Sequence, residues 1–161
     1  MRKGLSANLE WPEFESQIPA REKRRGQRMD FPEDLKYTRE HEWAKFEEDG
    51  VVVVGITDYA QESLGEIVYV ELPDEGSQVS QGEAFGVVES TKAVSDLYAP
   101  VSGAVVEVND TLLDSPELIN EDPYEDGWLI RIELSDPREK VKFMSATEYQ
   151  SYIEEEIEEE E

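Results

Sequence analysis

Between residues 30 and 134 the hydrophobic positions fall into short runs separated by turn-forming residues. Val51 to Ile56 is a β-branched run interrupted by one glycine, and Ile67 to Leu72 is another, closed by Pro73-Asp74-Glu75-Gly76. Ala84 to Glu89, Leu97 to Ala99, Ala104 to Val108 and Trp128 to Leu134 continue the series. Strands this short and this regularly spaced predict a mainly β protein, a sandwich or barrel.

Three stretches read as helices instead. Asp58 to Gly65 opens on a capping residue and ends on glycine. Ser115-Pro116 sets a cap before proline and predicts a turn of helix through Ile119. A C-terminal helix starts at Ser145, with Glu148 three residues on to complete a capping box. Tyr149, Tyr152, Ile153 and Ile157 share one face of it. Seven of its last eight residues are glutamates, a charge that opposes the helix macrodipole, so residues 154–161 are expected to fray as a solvated acidic tail.

The pattern starts late. Residues 1–28 show no hydrophobic period, contain Pro12 and Pro19, and carry seven basic and four acidic residues. They read as a disordered tail, or as an extension ahead of a true start at Met29. Residues 29–153 then form the folded domain, and residues 29–161 carry a net charge of −28 against −25 for the whole chain. Such a field repels nucleic acid and anionic membranes. It also repels itself at low ionic strength, which points to a protein from a high-salt cytoplasm such as that of a halophilic archaeon. No apolar run approaches a membrane span, and no apolar signal core opens the chain, so a cytoplasmic protein is expected. Without cysteine, and with His41 as the one histidine, thiol chemistry, a zinc centre and a Ser-His triad have no residues to use. The expectation is no catalytic group and no metal. In this setting His41 is expected to pack beside Trp43 or to bond backbone.

One cation stands apart. Across the 85 residues between Lys45 and Arg131, Lys92 is the only lysine or arginine, in a chain that holds 15 of them. Phe85 to Val88 leads in as a strand, and Val94 with Leu97-Tyr98 leads out. Gly82 lies ten residues before the lysine and Gly103 eleven after, and the two read as turn glycines at the base of a hairpin with Lys92 at its tip.

The octet Glu89-Ser90-Thr91-Lys92-Ala93-Val94-Ser95-Asp96 resembles the lipoylation site of the glycine cleavage H-protein family. The likeness runs in order from about residue 30 to 152. It takes in Leu35 to Trp43, Gly55 to Gln61, Leu64 to Pro73, Pro100 to Gly103, Leu118-Ile119-Asn120 and Pro123 to Ile130. The resemblance implies a barrel-sandwich hybrid of the lipoyl and biotinyl type, with short helices and a C-terminal helix. It implies lipoate attached to Lys92 by an amide, which removes the lysine's charge. The implied partners are a lipoate-attaching enzyme, a pyridoxal-phosphate glycine decarboxylase, a folate-dependent aminomethyltransferase and a flavin-dependent dihydrolipoyl dehydrogenase. The chain itself would be a monomeric, non-catalytic carrier. Family members fold the loaded arm into a cleft, and by position Glu42 and Asp96 are the carboxylates that would meet its amine. Glu40 departs from the small polar residue expected there.

Four other readings compete. A biotin carrier usually flanks its lysine with methionines, where this chain has Thr91 and Ala93. A lipoyl domain of a 2-oxoacid dehydrogenase would be followed by further domains. An H-like chain can serve lipoate relay, and an unmodified acidic β-sandwich adaptor would make no use of Lys92. Pro123 to Trp128 reads as a structural turn feeding the last strand.

Overall fold

The computed structural model describes residues 29–136 and 143–160, with side chains through residue 158. The N-terminal extension expected over residues 1–28, and Glu161, lie outside the described residues.

Among the described residues nine strands and four helices alternate along the chain. The strands are β1 (Lys36–Tyr37), β2 (Glu42–Phe46), β3 (Val51–Ile56), β4 (Ile67–Glu71), β5 (Gln78–Val79), β6 (Ala84–Ser90), β7 (Val94–Tyr98), β8 (Gly103–Val108) and β9 (Ile130–Leu134). The helices are α1 (Asp58–Leu64), α2 (Thr111–Asp114), α3 (Leu118–Glu121) and α4 (Ala146–Glu160). A six-stranded sheet runs β1-β2-β3-β9-β8-β5 and a three-stranded sheet runs β4-β6-β7. This is the mainly β architecture with short helices and a C-terminal helix that the strand pattern and the resemblance implied.

The core lies between the two sheets. Val52, Val54 and Ile56 of β3 meet Val70, Val88 and Leu97 of the small sheet and Val105, Ile130 and Ile132 of β8 and β9. Val53 points to the opposite face, into a second cluster with Tyr37, Trp43, Tyr59, Tyr149 and Ile153 beneath α4. Both faces of β3 are therefore covered, which explains why it opens on four consecutive valines and not on an alternation. Each large side chain buried in these clusters contributes roughly 1.5–3 kcal/mol.

Helix α4 begins as expected. The Glu148 amide donates to Ser145 Oγ at 3.1 Å, and the Ser145 amide donates to Glu148 Oε1 at 2.9 Å. Tyr149 and Ile153 are buried, with Tyr152 and Ile157 packed against the same cluster. The helix does not stop at Ile153. It continues through the glutamate run to Glu160, and Glu156 Oε1 lies 3.7 Å from His41 Nε2.

Some boundaries differ from the sequence expectation. The first cap of α1 is Thr57, whose Oγ1 accepts the Ala60 amide, and Asp58 is the first helical residue. After Ser115-Pro116 two tight turns, closed by the Leu118 amide on Ser115 O and the Ile119 amide on Pro116 O, lead into α3, so the helical turn runs past Ile119 to Glu121. Gly103 is not a turn glycine. It opens β8, and a Cβ there would collide with the Glu133 carbonyl of the neighbouring strand. No described helix is long and apolar enough to cross a membrane.

Candidate functional site

Strands β6 and β7 are antiparallel, with Val88 facing Ser95 and Glu89 facing Val94. The Ser90 amide donates to the Ala93 carbonyl at 2.8 Å and leaves Thr91 and Lys92 as the tip. Ser90 suits the corner because its short hydroxyl reaches its own turn: Oγ accepts the amides of Lys92 at 3.2 Å and Ala93 at 3.0 Å. The base of the hairpin closes at Gly82, whose amide donates to Ala99 O at 2.8 Å and whose φ of +85° suits glycine. Lys92 is exposed at the far end, where the sequence placed it.

The tip is also held from the side. The Thr91 amide donates to the Glu66 carbonyl at 3.0 Å, in the turn that follows α1. Gly65, one residue earlier, has φ +85°, and a Cβ there would sit 3.5 Å from Lys92 Cε. The lysine stem therefore lies across Gly65. That turn is anchored in turn by buried amides. Asn120 Nδ2 donates to Gly65 O at 2.8 Å and to Gln61 Oε1 at 2.9 Å, while its Oδ1 accepts the Ile67 amide at 2.9 Å. Gln61 Nε2 donates on to Asp58 Oδ1 at 2.8 Å. These are satisfied buried polar groups, so they fix position without a desolvation penalty left over.

Beside the stem opens a cleft of about 260 Å³, lined among others by Glu40, His41, Glu42, Tyr59, Leu64, Ser95 and Asp96. Leu64, on its wall, adjoins the Gly65 that Lys92 touches. The structure thus brings both predicted carboxylates, Glu42 and Asp96, to one cleft, and Glu40 joins them. The two differ in setting. Asp96 is exposed on β7, whereas Glu42 is 2% exposed. Glu42 Oε1 accepts from Thr38 Oγ1 at 2.9 Å and Oε2 accepts the Tyr98 amide at 3.1 Å. Burial pushes the Glu42 carboxyl up to about 7, Glu40 adds to the rise, and the two hydrogen bonds hold it back.

His41 packs differently from the sequence expectation. It has φ +73°, and its Nδ1 lies 2.8 Å from the Tyr149 hydroxyl, which in turn lies 2.7 Å from Thr57 Oγ1. Its ring faces Tyr59 and Tyr152 and not Trp43. Burial lowers its pKa, against the opposing pull of Glu156 and Glu40. Trp43 is buried elsewhere and donates its Nε1 to Pro123 O at 3.1 Å, which gives the Pro123 to Trp128 turn the structural part expected of it.

Tyr59, Leu64, Ser95, the Glu66 carbonyl and Tyr149 belong to the site but were not foreseen. Among the described residues no group of three or more His, Asp or Glu side chains forms a metal site. What the site offers is one reachable amine on a stiff hairpin, next to a cleft with a buried carboxylate.

Comparison with known proteins gives concordant results. A family model described as "Glycine cleavage H-protein" matches residues 35–156. The glycine cleavage system H protein of Anaeromyxobacter sp. (strain K) is 62% identical over 127 residues, which cover 79% of this chain and 98% of that one. The protein of the same name from Carboxydothermus hydrogenoformans is 55% identical over 125 residues, covering 78% and 95% respectively. The crystal structure of a glycine cleavage system H protein from Mycobacterium marinum superposes with a TM-score of 0.71 at 45% identity, covering 76% of this chain and 98% of that one.

Proposed function

The chain belongs to the glycine cleavage H-protein family, the non-catalytic lipoyl carriers of the glycine cleavage system, and from that premise we propose that Lys92 is its point of lipoate attachment. The observation that carries this is the placement of Lys92: exposed at a hairpin tip, tied through Thr91 to Glu66, with its stem across Gly65, the residue after Leu64 of the cleft wall. The exposed amine fits an amide-linked arm because a modifying enzyme can reach it while the turn behind stays fixed. Lipoate held there would supply a redox-active disulfide able to carry an aminomethyl group.

The chain's own residues do the rest. The hairpin and Glu66 hold the base of the arm. The cleft offers a partly dry resting place, walled by Tyr59 and Leu64 on one side and by β7 on the other. Glu42 and Asp96 are the counter-charges to an amine there. An ammonium beside Glu42 would favour the ionised carboxylate that burial disfavours, and such a charge-assisted contact contributes on the order of 1–3 kcal/mol. The enzymes this arm would visit are a glycine decarboxylase, an aminomethyltransferase and a dihydrolipoyl dehydrogenase. Family membership sets aside the biotin-carrier and oxoacid-dehydrogenase readings.

Peptide mapping by mass spectrometry tests the central claim. A lipoyl increment confined to the peptide bearing Lys92 is expected, together with loss of glycine decarboxylation in a reconstituted assay when Lys92→Arg replaces the native chain. An increment on another lysine would sink the assignment. The high-salt origin rests on net charge alone, while the relatives from Anaeromyxobacter and Carboxydothermus are bacterial.

A further inference from the structure

The outer face of the small sheet carries apolar side chains where an acidic protein has least reason to expose them. Register aligns Tyr69, Glu89 and Val94 as one row across β4, β6 and β7. Directly opposed residues of an antiparallel sheet share a face, so the three form a band. Tyr69 is 48% exposed and Val94 69%. A bulge between Ile67 and Tyr69 breaks the alternation of β4, and Val68 is turned out as well, at 50% exposure. The bulge lies opposite Ser90, where the lysine turn starts. The apolar band therefore crosses the sheet at the foot of Lys92. Its surround is anionic: Glu66 and Glu71 are exposed, Glu89 sits within the band, and Asp96 follows in the next row opposite Val87.

We propose that this band, Val68, Tyr69 and Val94, is the docking surface for the enzyme that acylates Lys92, and that this enzyme presents an apolar contact ringed by lysine or arginine. The inference rests on the reading of Lys92 as the acylated residue. Reach selects this occupant. An unmodified lysine extends roughly 6 Å from its Cα at standard bond lengths, so an active site that takes its Nζ must press against the strands on either side. Enzymes that act at the end of an acylated arm work from about twice that distance and need not cover the sheet. Charge selects the character of its rim, because acids surround the band and Lys92 is the only basic residue between Lys45 and Arg131. The reaction at the docked site is an acyl transfer. Neutral Nζ attacks the carbonyl carbon of a nucleotide-activated lipoyl carboxylate, the C–N bond forms, the C–O bond to the phosphate breaks, the nucleoside monophosphate departs and Nζ gives up one proton.

The experiment is steady-state acylation of the unmodified full-length chain by an ATP-dependent lipoate–protein ligase. Wild type is compared with Val94→Ser, with the double variant Tyr69→Ser/Val94→Ser, with Tyr69→Phe, and with Val106→Ser, an exposed apolar residue of the other sheet. The double variant is expected to raise KM for the chain about tenfold with little change in kcat, the free energy of two partly buried side chains. Val94→Ser alone gives part of that rise, while Tyr69→Phe and Val106→Ser stay near wild type. Melting temperature and the rate of Lys92 acylation by a small activated ester should be the same for all. Equal KM values for wild type and the serine variants overturn the docking surface and leave the carrier reading standing. Failure of wild type to accept lipoate on Lys92 overturns that reading and the docking surface with it.

Discussion

Thr91 donates its amide to the carbonyl of Glu66 at 3.0 Å, so the tip of the lysine hairpin is pinned to the end of α1, a segment 25 residues away in sequence. Gly65 makes the close approach possible. It combines φ +85° with ψ −158°, a region that is almost exclusive to glycine, and the lysine stem covers its open side. Gly65→Ala is expected to cost about 1–3 kcal/mol of stability and to slow modification of Lys92. Denaturant titration and a lipoylation time course check the two effects. Unchanged lipoylation in a destabilised variant would show that the turn is structural and does not position the lysine.

Glu42 gives a pH signature. Its carboxyl is raised from an ordinary value of 4.5 to about 7, so the folded state holds the proton more tightly than the unfolded state. Its contribution to stability is full below about 4.5, falls as pH rises, and levels off above about 7. The fall across that window is on the order of 3 kcal/mol. Glu42→Gln should remove this part of the pH dependence, seen as a flatter curve of unfolding free energy between pH 4.5 and 8. Parallel curves for the two proteins would mean that Glu42 titrates normally. In loaded protein, Glu42→Ala should shorten the lifetime of the aminomethylated arm.

Tyr149 joins three elements through one hydroxyl. It bridges Thr57 at the start of α1 and His41 ahead of β2, while its ring stacks on Tyr37 with centroids 4.8 Å apart. Tyr149→Phe keeps the stacking and removes the bridge. A loss of about 1–3 kcal/mol is expected, the cost of leaving buried partners unsatisfied. Equilibrium unfolding in urea measures it, and a variant as stable as wild type would assign the helix docking to packing alone.

Screening should stabilise the fold. At a net charge of −25 the self-repulsion is long-ranged in dilute buffer, where the Debye length is about 10 Å at 0.1 M salt, and is short-ranged at about 3 Å in 1 M salt. The melting temperature is expected to climb steadily with potassium chloride. A flat profile from dilute buffer to molar salt would end the high-salt interpretation.

What could be read from sequence follows physical lines. Strand β3 was legible because burial on both faces leaves an uninterrupted valine run, and Ser145 with Glu148 announced α4 because a capping box is local. Lys92 was legible because cations are missing around it and Gly82 marks the hairpin base. The two-residue strands β1 and β5 have no period to detect, and β2 has buried residues on three consecutive positions, Glu42, Trp43 and Ala44, which hides its alternation. The partner of His41 lies 108 residues away, beyond any local rule. The Glu66 contact is made by a backbone carbonyl, which leaves no mark on residue identity. Gly103 was misread because a glycine required by close strand packing looks in sequence like a glycine required by a turn.

The lysine turn is closed by main-chain bonds and by Ser90 Oγ, and none of these engages the side chain at position 92. The bonds that close the turn are thereby uncoupled from the cargo, and the side chain at position 92 meets the scaffold only where its stem crosses Gly65. A cysteine in place of Lys92, in a chain that has no other thiol, would turn the same hairpin into a single addressable anchor for a dye, a surface or a synthetic redox group, with the main-chain turn that displays it unchanged.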